Sequence, residues 1–323
     1  MSYGCFSFLI KNNIYINHIK STPMNSDYIP ICLFTYNRLE ETKKTVKALE
    51  DNFLAKESDL FIFSDGPKND SDLDKVLQVR SFLKNIEGFK TIVLIKSETN
   101  KGLANSIISG VSKVIKIHKK VIVLEDDLIT SPNFLNFMNQ SVLYYVNDPK
   151  VFSISGYTMN LKGLDDLEED FYFGCRASSW GWATWDDRWE SVDWKVSSYK
   201  TFISNKESVL KFNIGGSDMT SMLKSQMRGE IDSWAIRFCF QQYIDNLACV
   251  FPKVSKVQSI GFSKDATHTA GAKKFLTKLD DSKKTSFKFK NFTKYDEKLI
   301  KAFFDKFSIY QRIIDKIKLL FND

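Results

Sequence analysis

The sequence has little of what marks a secreted or membrane-spanning chain. Its five cysteines (Cys5, Cys32, Cys175, Cys239 and Cys249) are odd in number, scattered and without a CxxC pair. That pattern gives neither a disulfide framework nor a cysteine zinc site, and a reducing, cytoplasmic setting is expected. No apolar run approaches the ~18 residues of a membrane-spanning helix. The short apolar patch Phe6 to Ile10 has no cationic segment ahead of it, so no secretory signal is expected. Residues 1–23 read as an extension, with Met24 as an alternative start. Internal repeats and low-complexity tracts are also missing. What is present is a hydrophobic content of 43%, too high for a disordered chain and enough for a sizeable core. A length of 323 residues allows two average domains or one large α/β domain with a tail.

The formal charge of +7 is uneven: residues 281–323 hold 11 Lys/Arg against 6 Asp/Glu. Such a tail suits an anionic partner, a membrane surface or nucleic acid, or else is a solvated helix face. From about Asp296 to Phe321 apolar residues fall at 299, 300, 303, 304, 307, 310, 313, 314, 317 and 320. This is helical spacing, read as two helices broken near Ser308 and as an amphipathic anchor for an anionic membrane surface.

Short apolar runs alternate with longer amphipathic segments. Strands are expected at 29–35, 60–64, 91–95, 121–124 and 151–155, and helices at 39–50, 71–84 and 103–117. The alternation predicts βαβ units and a mainly parallel sheet. The fourth strand stops at Glu125-Asp126-Asp127, and Ser131-Pro132 reads as the start of the next helix. Carboxylates in succession repel and raise one another's pKa unless a cation lies among them. An oxygen-rich cluster suits Mg²⁺ or Mn²⁺, which in turn hold a diphosphate, and the strand's carboxyl end is where open α/β sheets bind ligands. The plainer alternative is an acidic loop capping the following helix.

The run Val121 to Leu135 resembles the metal-binding segment of the GT-A glycosyltransferases. It looks most like the group that contains eukaryotic N-acetylglucosaminyltransferase I and many bacterial sugar transferases. Other stretches are similar in order and spacing. Tyr28 to Ile31 through Thr35-Tyr36-Asn37-Arg38 looks like that family's first strand and nucleotide loop, and Phe63-Ser64-Asp65 like the end of its second strand. Asn100 to Ala104 looks like its nucleotide-side loop. The resemblance covers about residues 28–270. It implies Asp127 as the metal ligand and Glu125 and Asp126 toward the ribose and donor sugar. It further implies Asp65 as the reader of the base, with Thr35, Arg38 and Lys101 beside the nucleotide. Without it, Asp65 is an ordinary turn residue, and Arg38 and Lys101 ordinary surface cations.

Five of the six tryptophans lie between Trp180 and Trp194. Apolar sugar faces pack well on aromatic rings, and large aromatics also fill cores, so both fates are expected here. The family has a similar Gly-Trp segment, which places Trp182 at the donor. Glu230 to Trp234 resembles the family's Asp-x-Trp segment and makes Asp232 the catalytic base of an inverting transfer. Ile231 stands where the eukaryotic enzyme has an aromatic residue, and Asp232 read alone would cap a helix. Asp186-Asp187 is the rival base, disfavoured because Arg188 is adjacent. Gly261 to His268 resembles the loop that closes over the donor, with His268 reaching the diphosphate or metal.

The expected organisation is an extension (1–27), a GT-A domain (28–272, with a nucleotide-sugar half to 156 and an acceptor half from 157), and a basic helical tail (273–323). The expected activity is an inverting, Mn²⁺- or Mg²⁺-dependent transfer from a nucleoside-diphosphate sugar, UDP-linked, to a surface glycan such as one on a lipid carrier. A peripheral place on the inner face of the membrane would follow. A nucleotidyltransferase would show a Gly-rich phosphate loop, whereas Thr35 to Arg38 has no glycine. A nucleic-acid-binding protein would show one of the known motifs, and none appears, so nucleic acid is not an expected partner.

Overall fold

A computed structural model describes residues 14–17, 28–261, 275, 277–308 and 310–311. The first half is built from β2 (Ile31–Thr35), α1 (Leu39–Glu50), β3 (Asp59–Ser64), α2 (Asp70–Leu83), β4 (Thr91–Lys96), α3 (Leu103–His118) and β5 (Lys120–Glu125). Ahead of them β1 (Ile14–Asn17) lies antiparallel along β4. The strands β4, β3, β2 and β5 are parallel and stand in that order. The chain therefore adds strands outward from β2 to one side, then crosses to place β5 on its other side. That crossing is the topological switch point, and its crevice opens at the strands' carboxyl ends.

Both faces of this sheet are covered, which is why its strands read as continuous apolar runs. Ile31 and Leu33 of β2 point to the layer that holds Val46 and Leu49 of α1 and Val79 and Leu83 of α2. Cys32 and Phe34 point to the opposite layer, where α3 supplies Ile107, Val111 and Val114.

The second half is mixed. Its elements are β6 (Leu128–Thr130), α4 (Phe134–Tyr145), β7 (Val151–Ser155), β8 (Phe171–Gly174), β9 (Trp182–Trp185), α5 (Asp186–Glu190), α6 (Tyr199–Ser204), α7 (Lys206–Phe212), α8 (Met219–Met227), α9 (Trp234–Ile244), β10 (Ala248–Pro252), β11 (Val257–Ser259) and α10 (Glu297–Lys306). The main sheet continues from β5 through β9, β7, β10 and β8, and β9 runs antiparallel to both of its neighbours. The helix expected to start near Ser131-Pro132 begins later, at Phe134. The intervening residues form β6, which pairs with β11 in a separate two-stranded sheet. A long-range partner thus overrides the local capping signal.

Part of the basic tail also has a long-range partner. Residues 277–307 strap across the α4 side of the domain, and Phe287, Leu299, Phe303 and Phe307 enter its core. The helical spacing is real over α10, which ends at Lys306, and there Leu299 and Phe303 are buried against the protein while Phe304 is exposed. Positions 313–320 of that stripe lie outside the described residues. No described helix is long and apolar enough to cross a membrane. The strap is latched by a buried ion pair between Lys256 and Asp280, with the Lys256 ammonium 4.9 Å from the centre of the Phe287 ring. Asn133 also donates to Asp280, at 3.0 Å.

Removing one partner of a buried ion pair strands the other charge, so Asp280→Ala is expected to cost about 3 kcal/mol of unfolding free energy in urea titration. A loss below about 1 kcal/mol would show that the latch does not hold the strap to the domain.

Candidate active site

The switch-point crevice is walled by the loop after β2 and the turn after β5. Asp126 and Asp127 occupy the tight turn between β5 and β6. The main chain fixes that turn, because Ile260 N–H donates to the Asp127 carbonyl at 2.8 Å. The loop after β2 is tied down by Asp72 in the first turn of α2, which accepts from Tyr36 Oη and Asn37 Nδ2, both at 2.9 Å. Tyr36 N–H then reaches Asp126 Oδ2 at 3.1 Å. Arg38 closes the gap, with Nη2 at 2.5 Å from Asp126 Oδ1 and Nη1 at 3.0 Å from Asp127 Oδ2.

Between these walls lies a cleft of about 280 Å³ lined by Thr35, Tyr36, Arg38, Asp65, Glu125 and Asp126, among others. The Thr35 hydroxyl is buried at this cleft without a hydrogen-bond partner among the described residues. Buried polar groups are nearly always satisfied, so this hydroxyl is one that a ligand could satisfy.

The charges are out of balance: three carboxylates meet one guanidinium. Burial, then Asp127 and Asp126, push Glu125 up to about 8, against the opposing pull of Arg38. Burial also raises Asp126, although Arg38 works against it. Burial tends to lower Arg38, but Asp126 and Asp127 outweigh it and the net shift is upward. Among the described residues no three His, Cys, Asp or Glu side chains converge on one point as a complete metal cage. One or two carboxylates suffice for Mg²⁺ or Mn²⁺, which keep waters and take their other oxygens from phosphates. The acids already hold one cation, the Arg38 guanidinium, and the donor set is all oxygen. The residues present fit a divalent ion of that kind.

The expected site residues divide. Thr35, Arg38, Asp65, Glu125 and Asp126 come together in the cleft, and Asp127 joins them through Arg38. Asp65 is there, but its carboxylate accepts from the backbone of Gly66, Lys101 and Gly102 at 2.9 to 3.1 Å. It builds the wall of the cleft. Lys101 contributes through that backbone, and its side chain is exposed. His268 lies outside the described residues.

Trp182 is corrected. It is 0% exposed, its ring stacked between Trp234 at 4.8 Å and Trp189 at 5.6 Å. Strand alternation alone would put Trp180 on the same face, but Gly181 intervenes with φ +59°, and any β-carbon there would lie 2.6 Å from Val257. The chain flips at this glycine. Trp180, not Trp182, lines a second, apolar cavity of about 200 Å³ with Tyr157, Met159, Ile236, Phe251 and Phe303. Since Trp182 pairs with Val123 and with Ser155, this cavity lies along the same sheet edge as the acid turn.

Of the two candidate bases, Asp186-Asp187 lies away from the acid turn. The pair follows Trp185, which is paired with Lys120 at the amino end of β5, the opposite edge of the sheet. Its acids are bound to Lys119 and Arg188, at 2.9 and 2.8 Å. Asp232 lies toward the edge of the acid turn, because Trp234 stacks on Trp182 and Ile236 lines the apolar cavity. Asp232 is exposed and paired with Arg237 at 2.8 Å, and Ser233 is the residue that caps α9. Sequence reading missed Asp72 and Arg80. Arg80 clamps the ends of β3 and β4 by donating to the carbonyls of Ser64, Asp65 and Ser97. Nothing in one sequence distinguishes it from other helix-surface arginines.

No family model and no curated protein matches the chain. Among solved structures, it is similar to GalNAc-T7 with UDP, GalNAc and Mn²⁺, with a TM-score of 0.45 and 10% identity over 73% of this chain and 44% of that one. It is also similar to S. aureus TarS, with a TM-score of 0.40 and 10% identity over 76% of this chain and 38% of that one. The chain thus spans less than half the length of either.

Glu125 supplies a pH test. Its folded-state pKa is raised from 4.5 to about 8, so the fold is penalised once pH passes the unfolded value, and the penalty grows until pH reaches about 8. Glu125→Gln lacks the penalty. In metal-free buffer its melting temperature should draw level with the wild type near pH 5 and exceed it increasingly toward pH 8. A difference that stays constant across this range would contradict the assignment.

Proposed function

We propose that this protein is a GT-A glycosyltransferase that takes its sugar from a nucleoside diphosphate, UDP in the first instance, with Mn²⁺ or Mg²⁺. The observation that carries this reading is the meeting of the Arg38 loop and the acid turn across the β2–β5 switch point, with a cleft between them. The sequence resemblance over residues 28–270 runs through the same two segments. A divalent ion held by Asp127 would supply Lewis-acid neutralisation of the leaving diphosphate.

The chain's own groups do the rest. Asp126 and Tyr36 fix the Arg38 loop, Thr35 offers a hydroxyl to the donor, and Asp65 shapes the nucleotide wall. The neighbouring aromatic cavity with Trp180 is the acceptor side, where apolar sugar faces would pack. The acceptor class that best suits this reading is a growing surface glycan on a lipid carrier. Asp232 is the carboxylate offered on that side, and inversion would follow from its removing a proton from the acceptor hydroxyl.

Two substitutions test the assignment. Asp127→Ala should abolish transfer and remove the Mn²⁺ dependence of UDP-sugar binding measured by calorimetry. If affinity in the variant still rose with Mn²⁺ as in the wild type, Asp127 would not be the ligand. Asp232→Asn keeps shape and removes basicity, so kcat should fall about 10²–10⁴-fold while the donor Kd holds. A near-normal kcat would remove both the base and the inverting assignment.

A further inference from the structure

The cleft carries a cation of its own, and its placement has a consequence for ligand binding. Arg38 is forked across two acids with different freedom. Asp126 is buried and fixed by Tyr36 N–H, whereas Asp127 is less buried and meets Arg38 through Oδ2. The other side of that oxygen is closed by backbone. A β-carbon built on Gly261 would lie 2.1 Å from Asp127 Oδ2 and 3.4 Å from Arg38 Nη1. Asp127 Oδ2 is therefore enclosed between a guanidinium and a glycine. The Arg38 side chain is 41% exposed and sits on a loop, so it is the member of this group with room to move.

We propose that Arg38 is a positioning residue that acts as an internal counter-ion. It competes with the divalent cation for Asp127 and gives the acid up when a diphosphate draws the guanidinium away. This inference rests on the donor-site reading above. Its physical basis is charge and shape. A divalent ion and a guanidinium repel when they share a carboxylate, so either one weakens the other there. A diphosphate offers Arg38 oxygens that match its fork at least as well as a carboxylate does. Nucleotide and metal should then bind synergistically, and linkage requires that each raise the other's affinity by the same factor. The orphan Thr35 hydroxyl on the same wall gives the nucleotide a hold that does not depend on Arg38.

The test is a Mn²⁺ titration followed by electron paramagnetic resonance, with and without UDP. It is run on the intact wild type, Arg38→Gln, Arg38→Lys and Asp127→Ala, each checked for folding by circular dichroism. Wild type should bind Mn²⁺ weakly alone and about ten-fold or more tightly with UDP, within the usual range of coupling. Arg38→Gln should bind Mn²⁺ alone about ten-fold more tightly than wild type and lose most of the UDP enhancement. Arg38→Lys keeps the charge without the fork and should fall between them. Equal Mn²⁺ affinity in Arg38→Gln and wild type, with binding lost in Asp127→Ala, would overturn the counter-ion role and leave the donor site standing. Absence of Mn²⁺ binding from every variant, with or without UDP, would overturn the donor-site reading and this inference with it.

Discussion

Consecutive carboxylates at the end of a strand with a buried centre are held together against their own repulsion. Glu125 ends β5 and Asp126 and Asp127 form the turn after it, with a low-dielectric sheet behind them. Arg38 offsets part of that repulsion, Tyr36 N–H satisfies part of Asp126, and Ile260 pins the turn from behind. The upward shift of Glu125 is the part that remains. By the same physics, an added cation near these acids would offset the repulsion that Arg38 leaves.

The rest of the architecture positions this turn. The parallel strands place the β2 and β5 loops side by side, and the apolar layers on both faces leave the carboxyl edge as the place where polar groups can gather. The antiparallel insertion of β9 brings Trp180 to the same edge and sends Asp186-Asp187 to the other. The strap at residues 277–307 then covers the apolar side of the second half, and two of its rings help to wall the aromatic cavity. A segment that reads as a detachable tail is thus part of the domain's core.

The parallel half was largely legible in the sequence. The helix at 39–50 and the strand at 151–155 have the expected bounds, and the other early elements differ by one or two residues. Their strands are buried on both faces and their helices amphipathic, so local pattern and tertiary demand agree. The misreadings fall where a distant partner decides. Leu128–Thr130 is a strand because Val257–Ser259 lies beside it. Trp182 is core because Trp189 and Trp234 enclose it, and one left-handed glycine transfers the exposed role to Trp180. The stripe on α10 was read correctly as helical, but nothing in its spacing says whether protein or lipid covers it. In the site, the acids and Arg38 were visible as residue types. The fork that joins them across about ninety positions of sequence was not.

The central claim is that the β2–β5 crevice binds a nucleoside diphosphate together with a divalent cation at Asp127. Crystals grown with UDP and Mn²⁺ and measured at a wavelength where manganese scatters anomalously would test it most directly. The account predicts one strong anomalous peak within coordination distance of an Asp127 carboxylate oxygen, with the diphosphate beside it and the uridine in the cleft walled by Thr35, Asp65 and Gly102. A peak elsewhere on the molecule, or UDP bound in the crevice with no peak at Asp127, would contradict it.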